Sequence, residues 1–175
     1  QIQAYGGIIM AIIYPEGTLS KPVLNFNYDT KTDTQSFSAS SSLTTLSGLT
    51  VTMSLQSSSN LFLVLGQITI GCPNATSVIA TLLAGGSEID SLRGAADGSR
   101  LRSTSRGSQD STYEAHTYPL MGTYSPGNTN SIAFTIGGST NAGTFYVNRS
   151  GTSNDDTSRD STRSFTSLQV FELAA

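Results

Sequence analysis

The feature that most constrains this chain is a two-residue alternation of apolar and polar side chains that recurs along most of its length, with no helical period competing against it. Leu49, Val51, Met53 and Leu55 alternate with Thr50, Thr52 and Ser54, which puts aliphatic groups on one face of an extended segment and hydroxyls on the other. Residues 61–65 are a continuous apolar run. It passes into Gln67 and Thr69 alternating with Ile68 and Ile70, the pattern of a central strand covered on both faces. Residues 78–83, 113–121, 132–136 and 144–148 read as further strands. In the closing one, Phe165, Ser167, Gln169 and Phe171 share one side, and Thr166, Leu168, Val170 and Leu173 form the other. No window places apolar residues at i, i+3, i+4 and i+7 behind a capping residue. Turn residues at 57–60, 71–74, 84–87, 125–128 and 137–139 punctuate the strands.

About eight strands of this kind predict an all-β fold: an antiparallel sandwich, with the jelly roll as the expected form. Residues 29–175 are read as that domain. Residues 1–28, Gly-rich and apolar with Pro15 and Pro22, are read as an N-terminal arm and linking strand. Within it, Ile8, Ile9, Ile12, Ile13 and Tyr14 form an apolar run suited to attachment on a neighbouring protein. The run is shorter than the ~20 residues of a membrane span, and it lacks the basic leader of a signal peptide. The polar stretch 93–112 is long for a structureless loop, which points to a function, an interface or an unrecognised strand.

Composition narrows the partners. Charged residues are 12% of the 175, the net charge is −3, and only two lysines are present, Lys21 and Lys31. A phosphate backbone demands clustered basic groups, so nucleic acid is not an expected partner. The clusters of Val, Ile, Phe, Tyr and Thr argue against disorder. A single cysteine, Cys72, excludes an intrachain disulfide and leaves stability to the core or to oligomerisation.

Several segments carry a family resemblance. They are 30–34 (TKTDT), 48–52 (GLTVT) with the apolar run 61–65, 94–102 (GAADGSRLR), 145–151 (FYVNRSG) and the closing 160–175 (DSTRSFTSLQVFELAA). Over residues 29–175 the chain resembles domains of tail-fibre and other structural proteins of marine and aquatic bacteriophages. The resemblance implies a jelly roll similar in outline to tumour-necrosis-factor-like domains. It also implies a homotrimer exposed on the virion surface, as a capsid decoration, a head fibre or a tail-fibre tip serving host attachment. The partners expected are further copies, other virion proteins through the arm, and host-surface glycan in a lectin-like alternative.

Chemistry-bearing residues are sparse. The one histidine, His116, shares a strand face with Glu114 and Tyr118, and a polar interface cluster is preferred to catalysis or metal binding. No Gly-x-Ser-x-Gly elbow is present, and the chain is not expected to be an enzyme or to hold a cofactor. Glu88, Asp90, Asp97 and Asp110 are formal candidates for a carboxylate pair. Asn154, Asp155, Asp156 and Asp160 are oxygen-rich but lack the spacing of a calcium loop, so no metal site is expected. Arg93, Arg100, Arg102 and Arg106 are read first as intersubunit ion-pair formers with Asp97 and Asp110, and second as a clamp for acidic sugar or phosphate. Tyr113, Tyr118 and Tyr124 are candidate stacking platforms, with core or interface packing preferred. Arg149 reads as part of a structural turn. Asn74 and Asn148 stand in formal glycosylation sequences, which a phage protein has no use for.

Overall fold

The computed structural model describes residues 21–38, 42–72, 76–152 and 163–175. These form twelve strands: β1 (Val23–Lys31), β2 (Gln35–Ser38), β3 (Thr44–Thr45), β4 (Val51–Met53), β5 (Leu61–Gly71), β6 (Thr76–Ala84), β7 (Ser87–Glu88), β8 (Ser105–Gln109), β9 (Ala115–Tyr124), β10 (Ile132–Thr140), β11 (Thr144–Val147) and β12 (Thr166–Leu173). A single 3-10 turn spans Asp90–Leu92.

All the ladders are antiparallel and fall into two sheets. In the first, β12 lies along Leu61–Gln67 of β5, and β11 meets the far end of the same edge at Ile70 and Gly71. The opposite edge of β5 pairs with β9, while β1 flanks β12 and β2 flanks β11. In the second sheet, β3 and β4 share one edge of β10, β6 takes the other, and β7 and β8 share the far edge of β6. Counting collinear strands together, the orders are (β1,β2)-(β12,β11)-β5-β9 and (β4,β3)-β10-β6-(β7,β8). Consecutive strand positions alternate between the sheets, except that β6 is followed by (β7,β8) within the second. That is the jelly-roll order.

The core follows from the alternation. Phe62, Val64, Ile68 and Ile70 of β5 face Val78, Ala80 and Leu82 of β6 and Phe134 and Ile136 of β10, and all are fully buried. Phe62 meets Phe134 edge-to-face at 4.9 Å and Phe37 stacks on Phe145 at 4.6 Å, the geometries aromatic quadrupoles favour. Burying each such side chain stabilises by about 1.5–3 kcal/mol.

Of the readings open for the stretch 93–112, the unrecognised strand is present as β8, whose small and polar sequence SRGSQ carries no apolar alternation. Three expectations need correction. The boundary after residue 28 falls inside β1, because Val23–Lys31 pairs along its length with β12. On β12 the fully buried inward residue is Glu172, not Leu173. Its carboxylate accepts from the Gln56 amide and Asn60 Nδ2 at 2.6 and 2.7 Å, so hydrogen bonds replace the expected aliphatic contact. Finally, among the described residues the run 61–65 is covered on one face only: Phe62 and Val64 are buried, while Leu61, Leu63 and Leu65 are half-exposed.

Candidate functional site

The two sheets turn very different outer faces to solvent. On the second sheet, Ile79, Thr81 and Leu83 of β6 point away from the core, yet Thr81 and Leu83 are buried. The chain covers them itself. The connection between β7 and β8 returns across this face, with Leu82 N donating to Thr104 Oγ1 and Gly94 N to the Ser103 carbonyl. Leu43 arrives from the other side, close to Gly137. Thr135 closes the neighbouring stretch by donating to the Leu49 carbonyl at 2.8 Å.

Three of the four candidate arginines belong to this cover. The Arg93 guanidinium grips Glu88 and Asp90, the latter at 2.6 Å, and Arg102 reaches the same Asp90 oxygen at 2.7 Å. Hydrogen bonds from Arg93 and then Arg102 hold the Asp90 carboxyl below the ordinary carboxylate range, and the Asp90 carboxylate in turn raises Arg93. Arg100, largely in solvent, pairs with Asp97 at 3.2 Å. Arg106 lies apart on β8, with Nη2 at 3.4 Å from Ser77 Oγ. A cleft of about 470 Å³ opens between cover and sheet, walled by Leu43, Ile79, Leu83, Arg93 and Arg102. Its three guanidiniums (Arg93, Arg100, Arg102) are each paired to a carboxylate, Glu88 in the cleft wall and Asp90 and Asp97 outside the lining, so each positive charge has a partner within the chain. The Asp97 pairing expected between subunits is made within the chain.

The expected polar cluster on β9 separates. Tyr118 is buried; its ring lies against Gly107, where any side chain would collide with it, and its hydroxyl accepts from Gln109 Nε2 at 3.2 Å. His116 is half-exposed, with Nε2 at 3.5 Å from Glu114, and Tyr113 is exposed. Tyr124 packs edge-to-face on Phe134. Cys72 is buried, and desolvation pushes its thiol up to about 11, which makes it unreactive at neutral pH. No three His, Cys, Asp or Glu side chains gather as metal ligands among the described residues.

Asn148 cannot accept a glycan. It is fully buried at φ 63°, and its amide donates to the Lys31 and Asp33 carbonyls at 2.8 and 2.9 Å while its oxygen accepts from Thr166 Oγ1 at 2.7 Å. It knits together β1, β11 and β12. Arg149 stacks over the Tyr146 ring at 3.6 Å, the structural role expected of it. The apolar run of Ile8, Ile9, Ile12, Ile13 and Tyr14, the acidic group at 154–160 and Asn74 lie outside the described residues.

On the first sheet's outer face the described residues Arg149, Ser150 and Ser164 cover only the end at Thr69 and Gly71, and the stretch across β1, β12, Leu61–Leu65 of β5 and Met121 has no such cover among the described residues. Register alignment forms rows across it: Phe26, Phe171 and Leu63 in one, then Tyr28, Leu65 and Met121 in the next, with Gln169 between Tyr28 and Leu65. Phe26 stacks on Phe171 at 4.6 Å and on Tyr28 at 5.7 Å. Tyr28 is 62% and Met121 65% exposed. The outward positions of β1, β12, β5 and β9 include no Asp, Glu, Lys, Arg or His. An antiparallel sheet with one wet face ordinarily carries polar residues there. Sequence reasoning did not single these residues out. The available signal was the run 61–65, which already read as covered on two sides.

The edge beside this face is closed differently. Among the described residues β1 pairs with β12 alone, and along it Asn25, Asn27 and Asp29 each accept the amide of the following residue, Phe26, Tyr28 and Thr30, at 2.8–2.9 Å. Asp29 also accepts the Thr50 amide. An amide engaged in this way has no donor left for an incoming strand.

No protein-family model and no curated protein matches the chain. Solved structures that are similar include the T13 viral particle of infectious bursal disease virus, at 13% identity and a TM-score of 0.46 over 99% of this chain and 40% of that one. T=1 particles derived from the same virus align at 12% identity and a TM-score of 0.42, over 99% and 41%. The chain thus spans about two-fifths of the chains it resembles. Its jelly-roll assignment rests on its own strand order.

Proposed function

We propose that this chain is a structural component of a virus particle: a jelly-roll module, associating as a homotrimer at the virion surface, whose work is contact and not chemistry. The observation that carries the reading is the bare, charge-free apolar face of the first sheet. Exposed apolar patches beyond a few hundred Å² mark interaction sites on soluble proteins. The sequence resemblance to phage structural domains supplies the setting, as capsid decoration, head fibre or fibre tip. Antibodies raised against the chain test the role by immunogold labelling of particles purified from its source. Gold on intact particles supports it, and label confined to unassembled protein would overturn it.

A lectin-like role finds one supporting feature, the cleft beneath the 93–104 segment with Arg100 and the exposed Leu101 at its rim. The paired guanidiniums leave it suited to a neutral sugar and not to an acidic one. A glycan array probed with the full chain decides this: binding that Leu101→Asp abolishes supports the cleft, and silence across diverse sugars removes the reading.

A further inference from the structure

We infer that the outer face of the first sheet seats another copy of this same chain, face against surface, and that the neighbouring edge strand is built to keep the copies from joining edge to edge. The inference rests on the structural-component reading and names the surface that reading uses.

Three observations converge on it. The first is charge. Where a contact surface lies close to the axis of a rotational assembly, a charge on it meets its own copies, which costs several kcal/mol. A contact face with no ionisable position, apart from the Tyr28 phenol, meets its symmetry mates without that cost. A basic or acidic partner would find nothing to pair with.

The second is size and layout. Four strand positions and seven residues of β5 make a surface of roughly 19 Å by 23 Å. That is about half of the ~800 Å² per partner of a standard interface. The face therefore serves as the dry centre. Thr30, Ser167 and Gln67 continue it at one end in a row that closes on Pro119, with Thr117 beyond, as a largely hydroxyl- and amide-bearing margin, which is the anatomy of a specific interface. The aromatic anchors are already stacked on one another, so docking them costs little side-chain entropy.

The third is the edge. An unpaired strand beside an apolar face invites open-ended sheet extension. The alternation Asn25-x-Asn27-x-Asp29 withdraws three amides of β1 from that use. A chain that blunts its edge while leaving the adjoining face bare permits closed contact through the face and denies growth through the edge.

The test is light scattering after size-exclusion chromatography, on the full 175-residue chain over a wide concentration range. The wild type is expected to form a discrete oligomer, dimer or larger. The double variant Phe26→Asp/Met121→Asp, both on the exposed face, is expected to lose self-association roughly tenfold or more, since it buries unpaired charge. Far-ultraviolet circular dichroism and the thermal midpoint of the monomer confirm that the variant still folds. Leu101→Asp, equally exposed but on the opposite cover, is expected to leave the oligomer unchanged. A wild type that is monomeric at every concentration would overturn the inference, as would an oligomer that survives the double variant or dissolves with Leu101→Asp. None of these outcomes touches the immunogold result, so failure of the docking surface and failure of the virion role remain distinguishable.

Discussion

β5 and β6 occupy comparable central positions in the two sheets, and both carry aliphatic side chains on their outward as well as their inward faces: Leu61, Leu63 and Leu65 on one, Ile79 and Leu83 on the other. The chain treats them oppositely. Over β6 it lays the β7–β8 connection, pinned by Arg93 and Arg102 on a shared Asp90. Over Leu61, Leu63 and Leu65 of β5, among the described residues, it lays nothing. An apolar outer face is thus half of a contact. Where the chain supplies the other half, ion pairs hold a loop in place. Where it does not, the flanking edge is blunted by asparagines and the surface is left free of charge, so the missing half is expected from outside.

The largest effect that separates the two faces is a pair of truncations. Leu83→Ala, on the covered face, is expected to cost about 2–5 kcal/mol, like any buried leucine that leaves a cavity. Met121→Ala, on the bare face, is expected to stay within about 0.5 kcal/mol of wild type when the chain is dilute enough to be monomeric. Urea unfolding of both at low concentration measures the contrast. Equal losses would mean that Met121 is covered within the monomer, and the distinction between the faces would vanish.

Asn148→Ala sharpens the comparison from within the bare sheet. Removing the amide strands the buried Lys31 carbonyl, the part-buried Asp33 carbonyl and the Thr166 hydroxyl. The left-handed backbone at φ 63° also suits asparagine better than alanine. A loss of about 2–4 kcal/mol is expected, since each unsatisfied buried group costs roughly 1–3 kcal/mol and partial rehydration offsets some of it. Hydrogen exchange should localise the damage to β1, β11 and β12 and spare the cover over β6. Faster exchange spread evenly over both sheets would show that the seam is not local.

The sheet architecture was legible because its cause is local. Period-two patterning in residues 49–55 and 132–136 fixes which side chains are buried whatever the partner strand is, and turn residues mark the ends. β8 was not legible, because SRGSQ is held by the backbone ladder to β6 and by Gly107 yielding space to Tyr118, neither of which leaves a hydrophobic signature. Glu172 was misplaced for the same reason. A buried carboxylate is read as outward until Gln56 and Asn60, over a hundred residues away in sequence, are seen to meet it. Of the candidate site, the arginines were visible as a cluster, but their neutralisation was not, since Arg102 meets Asp90 only once the connection folds back. The bare face was half visible. The run 61–65 called for cover on two sides, and a single sequence cannot say that the second side belongs to another chain.

The edge offers a smaller effect of a different kind. Asn25→Val/Asn27→Val frees the Phe26 and Tyr28 amides and adds β-branched residues that favour strands. The monomer's stability is expected to change by less than about 0.5 kcal/mol. Aggregation on prolonged incubation, followed by light scattering and thioflavin fluorescence, is expected to rise, because an unblocked edge recruits strands. An unchanged aggregation rate would show that the asparagines do not guard the edge.

The smallest expected effect concerns the fastening of the cover and depends on pH. Asp90 has its carboxyl held below the ordinary value of 3.8 by Arg93 and Arg102. A depressed folded pKa means that the pairing contributes fully above the ordinary carboxylate range and is lost as pH falls through the folded value. Asp90 is largely solvated, with a side-chain exposure of 72%, so the global unfolding midpoint should barely respond. The response belongs to the loop. Amide exchange in residues 90–104, corrected for intrinsic rates, should accelerate between about pH 5 and pH 3, while the ladder between β5 and β12 stays protected. Asp90→Asn should show the faster exchange already at pH 5, with a flatter pH dependence, since the neutral amide cannot hold two guanidiniums in place. If the variant keeps the wild-type pH response, the cover is fastened by something other than Asp90. Its hydrogen bond from the Leu82 amide to Thr104 would then suffice, and the two faces would differ only in the length of chain available to lie across them.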